Sequence, residues 1–294
     1  MLTRLRPRRD CLPSPSAGKS QPEAAVRRAR KGTLVELQIL APVPLESASD
    51  RSPTDLDAIR SEYPLSLHGI GLSLGSAEGL DATHLERIRR VVDRFDPGLV
   101  SEHLSWSVAG GTYLGDLLPL PLTDEALDIV CRHVDQTQAF LQRRILLENP
   151  SSYLSFKHST IPEWEFLAAV ALRTGCGVLC DVNNIYVSAC NHGWDASDYL
   201  AALPADAIGE IHLAGHAVRQ LDNGSVLRID DHGSRVAAPV WVLYAEALER
   251  FGPVPTLIEW DTDVPPLDVL LEEAAQATVH LERIMNKATH AIAA

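Results

Sequence analysis

No stretch of this chain approaches the ~20 consecutive apolar residues that cross a bilayer, which excludes a membrane-spanning helix. The Arg-rich start has no apolar core, so a secretory signal is not expected either. Cysteine is sparse: Cys11, Cys131, Cys176, Cys180 and Cys190 form no CxxC pair and no even framework. A zinc ribbon or disulfide scaffold is therefore not expected, and the thiols read as reduced in a cytoplasmic protein. Excess positive charge is lacking as well; a net charge of −13 argues against a nucleic-acid backbone as partner. There is no G-x-S-x-G elbow for a hydrolase serine. The glycines of HGIGLSLG are spaced G-x-G-x-x-x-G, off the dinucleotide-binding fingerprint, and read as backbone room or a tight turn.

Charge is unevenly spread. Residues 1–32 carry nine Lys and Arg against two Asp and Glu, a balance of +7, which leaves −20 on the rest. With Pro13, Ser14, Pro15, Ser16 and Gly18, that segment reads as a basic, disordered arm, and residues 33–294 as one catalytic domain.

From residue 33 onward strand-like and helix-like segments alternate, which calls for a parallel sheet with crossover helices. About seven strands are legible, one short of a closed (β/α)8 barrel. A TIM barrel is favoured over an open doubly wound sheet, because a doubly wound sheet places its ligand at one switch point and does not draw groups from nearly every strand.

What the chain has in abundance is one repeated design: a short apolar run ending in a polar group able to bind a metal. It occurs in PLSLHG (His68), LVSEHLSWS (His103), ILLENPSS (Glu148), GVLCDVNN (Asp181), GEIHLAGH (His212), VLRIDDH (Asp230, His232) and TLIEWD (Glu259), with LVELQIL (Glu36) as an earlier candidate. Barrel strands converge at their C-terminal ends, so these groups would meet in one small volume, where cations are the natural compensation for gathered charge. Carboxylates with an imidazole suit a divalent first-row metal. His68 and His103 could share Glu148 with Asp181, His212 and Glu259, while Asn184, Asp230 and His232 make a third set. Glu148 and Asp181 are the expected bridges. Asn149, Asn183, His192 and His216 lie beside these residues and are expected to fix tautomers or position substrate. His192 and Asn183 are the candidates for direct catalytic roles, with His192 alternatively a ligand. His84, His133, His158 and His280 read as surface.

These segments, together with DLLPLPLTDEAL, LLENPSSYL and GCGVLCDVNNIYVSACNHG, resemble the multinuclear non-heme iron-dependent oxidative enzymes over about residues 60 to 275. The resemblance implies a xylose-isomerase-like TIM barrel holding two or three iron ions, mixed ferrous and ferric, with dioxygen as co-substrate. It implies a Cys-containing, ribosomally made precursor peptide as substrate and a partner protein that binds the peptide leader. It assigns His68, His103 and Glu148 to one iron, Glu148, Asp181, His212 and Glu259 to a second, and Asn184, Asp230 and His232 to a third. The three-metal pattern is also similar to that of endonuclease IV, so a divalent-metal hydrolase or isomerase stays open, as does a degenerate non-catalytic relative. Two departures matter. Residues 1–32 hold no Gly-rich first strand and LVELQIL lacks the usual Glu-Asn pair, so the first barrel strand is expected to be missing or replaced. The family's I-D-T-H-D stretch is IDDHGS here, and Gly233 in place of a carboxylate predicts a weaker third site.

Overall fold

The protein is described by a computed structural model over residues 35–39 and 55–293; the arm at 1–32 lies outside the described residues. In chain order the elements begin with β1 (Val35–Ile39), α1 (Asp55–Glu62), β2 (Leu65–Gly69), α2 (Ala82–Phe95) and β3 (Leu99–His103). A hairpin follows, β4 (Trp106–Ala109) and β5 (Thr112–Leu118), then α3 (Asp124–Leu141), β6 (Leu146–Glu148), α4 (Glu163–Thr174) and β7 (Gly177–Asp181). Next come α5 (Val182–His192), α6 (Ala196–Ala202), β8 (Ile208–Leu213) and a second hairpin, β9 (Ala217–Gln220) and β10 (Val226–Ile229). The chain ends with α7 (Ala238–Phe251), β11 (Thr256–Ile258) and α8 (Leu267–Ala293).

Seven strands form one parallel sheet in the order β1-β2-β3-β6-β7-β8-β11. β1 and β11 are its two ends, and among the described residues they do not pair with each other. This is the (β/α) barrel expected from the alternating segments, with seven strands in a curled sheet that is not closed among the described residues. The helices start and stop where the sequence chemistry requires. Asp81 caps α2 by accepting from the Thr83 and His84 amides, Thr123 caps α3, and Gly175 ends α4 with φ +69°.

Successive strand residues point to opposite faces, which divides each barrel strand. One face, with Leu67, Val100, Leu147, Val178, Ile211 and Leu213, packs under the helices as part of the apolar core. The alternate residues on the other face are polar to an unusual degree: Ser66, His68, Ser101, His103, Glu148, Asp181, Glu210 and His212 are all buried. Ser66 Oγ donates to Glu210 Oε2 at 2.8 Å, between two strands far apart in sequence. A run that looks uniformly apolar in sequence thus has two different faces.

Three sequence expectations need correction. VLRIDDH is not a barrel strand: β10 pairs antiparallel with β9 in a hairpin outside the main sheet. Its turn is signalled by Asp222-Asn223-Gly224, where Asn223 Oδ1 accepts the Ser225 amide and Gly224 takes φ +83°. GVLCDVNN leaves the sheet at Asp181, where α5 begins at once. Third, His84 and His133 are buried, because each sits on the inner stripe of its amphipathic helix. His133 Nδ1 donates to the Leu74 carbonyl at 2.8 Å. Of the other two, His158 is exposed and His280 stacks on Trp241. The loop glycines behave as expected: a Cβ on Gly69 would lie 2.3 Å from Glu102 Oε1, and one on Gly75 would lie 2.3 Å from Leu120.

Candidate metal centre

Pairing register brings the strand-end groups together. His103 lies opposite Glu148 on β3 and β6, and Asp181 opposite His212 on β7 and β8. The Glu259 amide donates to the Leu213 carbonyl, which sets Glu259 just beyond β11 and beside His212.

The first group is His68, His103 and Glu148. His103 Nδ1 lies 3.1 Å from the Gly69 carbonyl, which can only accept, so that nitrogen carries the proton. Ser101 Oγ gives its own proton to the Leu67 carbonyl and so accepts from His68 Nδ1 at 2.7 Å. In the neutral rings both Nε2 atoms are then lone pairs. They stand 3.3 Å apart and lie 2.9 Å (His68) and 3.0 Å (His103) from Glu148 Oε2. Three acceptors converge with no hydrogen between them, which is repulsive unless a cation sits among them. The spacing fits one ion: neighbouring donors around a first-row cation with ~2.1 Å bonds stand ~3.0–3.4 Å apart.

The second group is Glu148, Asp181, His212 and Glu259, whose ligand atoms all lie within 4.8 Å of one another and are all buried. His212 Nδ1 is 3.1 Å from Glu259 Oε2. Asp181 has two tasks. Its Oδ1 caps α5 by accepting the Asn184 amide at 2.6 Å, while its Oδ2 is buried with no hydrogen-bond partner among the described residues. Burial pushes the Asp181 carboxyl well above the usual carboxylate range, and the charges of Glu148 and Asp230 push it further. Burial would raise Glu148 and Glu259 too, but neighbouring imidazoles outweigh it. In their protonated forms His103 and His68 hold Glu148 below its ordinary value, and His232 with His212 hold Glu259 well below. Of the three carboxyls in the group, Asp181 is the one whose surroundings favour holding a proton.

The third group differs from the sequence expectation. Asp230 and His232 do meet, with Asp230 Oδ1 2.6 Å from His232 Nε2. The set within ligand distance is His232, Glu259 and Asp261, and His232 Nδ1 is 3.2 Å from Asp261 Oδ2. Asn184 turns instead to the first two groups: its Nδ2 lies 3.2 Å from the Asn149 carbonyl and 3.5 Å from Glu148 Oε1, and its Oδ1 is buried without a hydrogen-bond partner. Glu259, not Asp181, is common to the second and third groups, as Glu148 is to the first and second. Asp261 was missed by sequence reasoning, although Glu-Trp-Asp has the same two-residue spacing as Asp230-x-His232. Gly233 has a steric reason, since a Cβ there would lie 2.4 Å from Thr262 Oγ1. His232 itself sits at φ +46°, a costly conformation for a residue with a Cβ.

Side chains around these groups fix their orientation. Asn149 exchanges two hydrogen bonds with the Asp181 backbone, at 2.9 and 3.0 Å. Asn183 donates to Asp230 Oδ1 at 2.7 Å and accepts from His216 Nδ1 at 2.8 Å. Asn191 grips β10, donating to the Arg228 carbonyl and accepting its amide, both at 2.9 Å. Tyr153 Oη accepts the Asp230 amide at 2.9 Å. His192 lies 3.0 Å from Ser152 Oγ and stacks on Trp194, so its described contacts run to the loop after Glu148. Glu102, also unremarked in the sequence, is buried beside the first group with its carboxyl pushed up to about 7 by burial.

The chain is thus a parallel α/β barrel whose histidines and carboxylates cluster at the strand ends in groups that could hold metal ions. Residues 39–282 match the RiPP precursor modification enzymes MbnB/TglH/ChrH, and the chain belongs to that family. It is 53% identical over 229 residues to a UPF0276 protein of Vibrio parahaemolyticus, covering 78% of this chain and 79% of the relative. It is 51% identical over 222 residues to one of Paraburkholderia phytofirmans, covering 76% and 72%. Among solved structures, L-ribulose 3-epimerase superposes with a TM-score of 0.55 at 14% identity, over 91% of this chain and 90% of that one. D-psicose 3-epimerase from Clostridium cellulolyticum H10 gives 0.54 at 10%, over 90% and 94%. These two share the fold, a xylose-isomerase-like TIM barrel. Among the described residues no helix is long and apolar enough to cross a membrane.

Proposed function

We propose that this chain is a multinuclear iron, dioxygen-dependent oxidase that modifies cysteine residues of a ribosomally made precursor peptide, presented with the help of a leader-binding partner protein. The observation that carries the metal is the meeting of the His68 and His103 Nε2 atoms with Glu148 Oε2, all within 3.3 Å of one another. His68, His103 and Glu148 would hold one ion, and Glu148, Asp181, His212 and Glu259 a second. His232, Glu259 and Asp261 would hold a third, with Glu259 shared and Asp230 bonded to the other nitrogen of His232. Bound iron would supply dioxygen activation and a soft-sulfur anchor, neither of which side chains alone provide. The protein's part is to keep the imidazoles in their Nδ1–H tautomers, bury the carboxylates from water and accept protons as ions enter. Asn183 orients Asp230, and His192 orders the loop that follows Glu148.

The test is anaerobic loading with ferrous ion, then addition of a Cys-containing peptide encoded beside the gene, then oxygen. A change in peptide mass that requires both iron and oxygen is expected. Equal conversion by zinc-loaded protein without oxygen would overturn the reading in favour of a divalent-metal hydrolase or isomerase.

The third ion depends on a segment held by side chains and not by the sheet. Asn191→Leu is expected to release β10 from α5 and weaken that ion ~10- to 100-fold, the usual cost of losing a supporting contact. Metal analysis after desalting should show about one equivalent fewer, with the other two retained. Full metal content in the variant would rule out the latch.

A further inference from the structure

Beside the clustered ligands lies a second feature, a pocket of about 120 Å³. Its walls are the immediate neighbours of proposed ligands: Leu104 follows His103, and Pro150 to Ser152 follow Glu148 by two to four residues. The Leu104 amide donates to the Glu148 carbonyl at 2.9 Å, tying one wall directly to the first group. Leu117 and Leu120, from β5 and the segment after it, close another side, and Leu154 and Phe156 form an apolar rim 50% and 36% exposed. Trp194 lines the far side and stacks on His192, whose Nε2 donates to Ser152 Oγ. The polar residues of the lining are the neutral Ser151, Ser152, Ser155 and Ser159, and Glu163, whose Oε1 accepts from the Tyr199 hydroxyl at 2.9 Å.

We infer that this pocket receives an aliphatic side chain of the substrate peptide, Val, Leu or Ile, within two residues of the cysteine that is modified. The inference rests on the proposed function. Three observations choose the occupant. Half of the lining residues are leucine or proline, joined by Phe156, Ile161 and Trp194; the polar remainder is four neutral serines and a carboxyl already bonded to Tyr199, which disfavours a charged group. The volume is below the ~150 Å³ of an apolar cavity that holds benzene, so a branched aliphatic group fits and an indole does not. The pocket is also bounded by the residue that follows His103 and by residues two to four beyond Glu148, so a peptide whose thiolate reaches those ligands runs its neighbouring side chains past this wall.

The test uses iron-loaded protein under argon and isothermal titration with short probes, N-acetyl-X-Cys-amide and N-acetyl-X-Gly-Cys-amide. X is Ala, Leu, Lys or Trp, and a parallel series has Ser in place of Cys. In at least one spacing Leu is expected to bind about tenfold more tightly than Ala, the scale of burying one aliphatic side chain. Lys and Trp should show no such gain. Leu154→Asp, at the exposed rim, should bring the Leu probe down to the Ala value without changing the Ala probe. A Leu-to-Ala ratio near one at both spacings, or a preference for Lys or Trp, overturns the pocket assignment. A Cys-to-Ser ratio near one instead overturns the proposed function, and the Leu-to-Ala ratio still judges the pocket.

Discussion

Glu148→Gln is expected to remove most of the bound metal and to lower peptide conversion by more than ~10³-fold. The glutamine keeps the shape of the side chain but not the charge that two ligand groups share. Losing a mere supporting contact to a ligand costs ~10- to 100-fold in metal affinity, and a ligand common to two ions must cost more. Without Glu148, His68 and His103 face each other with no carboxylate between them, and Asp181, His212 and Glu259 are left as the rest of the second group. Metal-to-protein ratio and peptide mass after a timed reaction are the two readouts. Glu163→Gln is the control, because it removes a buried carboxyl bonded to Tyr199 and outside all three groups, and its metal content should match the parent. Undiminished metal in Glu148→Gln would refute the bridging assignment.

Stripping the metal with a chelator is expected to lower the melting temperature by about 10 °C. An ion held at a thousand times its dissociation constant stabilises the native state by about 4 kcal/mol, and a domain of this size loses about 2–4 °C per kcal/mol. The gap should also depend on pH, with a definite sign. Burial and the nearby Glu148 raise Asp181 above its unfolded value, so its contribution in the metal-free protein is complete at low pH and is lost as pH rises through the raised pKa. His232 behaves alike: burial works against it, but Asp230 and Glu259 outweigh that and hold it well above the usual histidine range. In the loaded protein the cation replaces these protons. The difference in melting temperature between loaded and stripped protein should therefore widen toward alkaline pH, as calorimetry at several pH values would show. Identical melting curves for the two forms would contradict a metal site built from these residues.

The barrel was legible because its strands are short apolar runs closed by a single polar residue, and ILLE and GVLCD have no other reading in a chain with this alternation. The strand-end position of His68, His103, Glu148, Asp181, His212 and Glu259 followed from the same pattern. Three features were not legible. The sequence of α5, VNNIYVSACNH, is poor in helix formers and continues an apolar strand; Asp181 as its cap and Gly193 after its end carry the helix instead. The hairpins are announced by Gly110-Gly111 and Asn223-Gly224, glycines at positive φ in tight turns, but the flanking apolar residues mimic barrel strands. Asp261 stayed hidden because it follows a tryptophan just beyond the strand end, and only the backbone hydrogen bond from its amide to the His232 carbonyl shows that it turns inward.

The β9–β10 hairpin connects to the barrel at its two ends and through the amide of Asn191, yet it leads directly into Asp230 and His232. That makes it an exchangeable part. Related chains could alter this corner of the centre by swapping a hairpin of some dozen residues, leaving the ring strands and the other two ligand groups untouched. For an engineer, it is the place to graft from one member of the family to another when a different outcome on the precursor peptide is wanted.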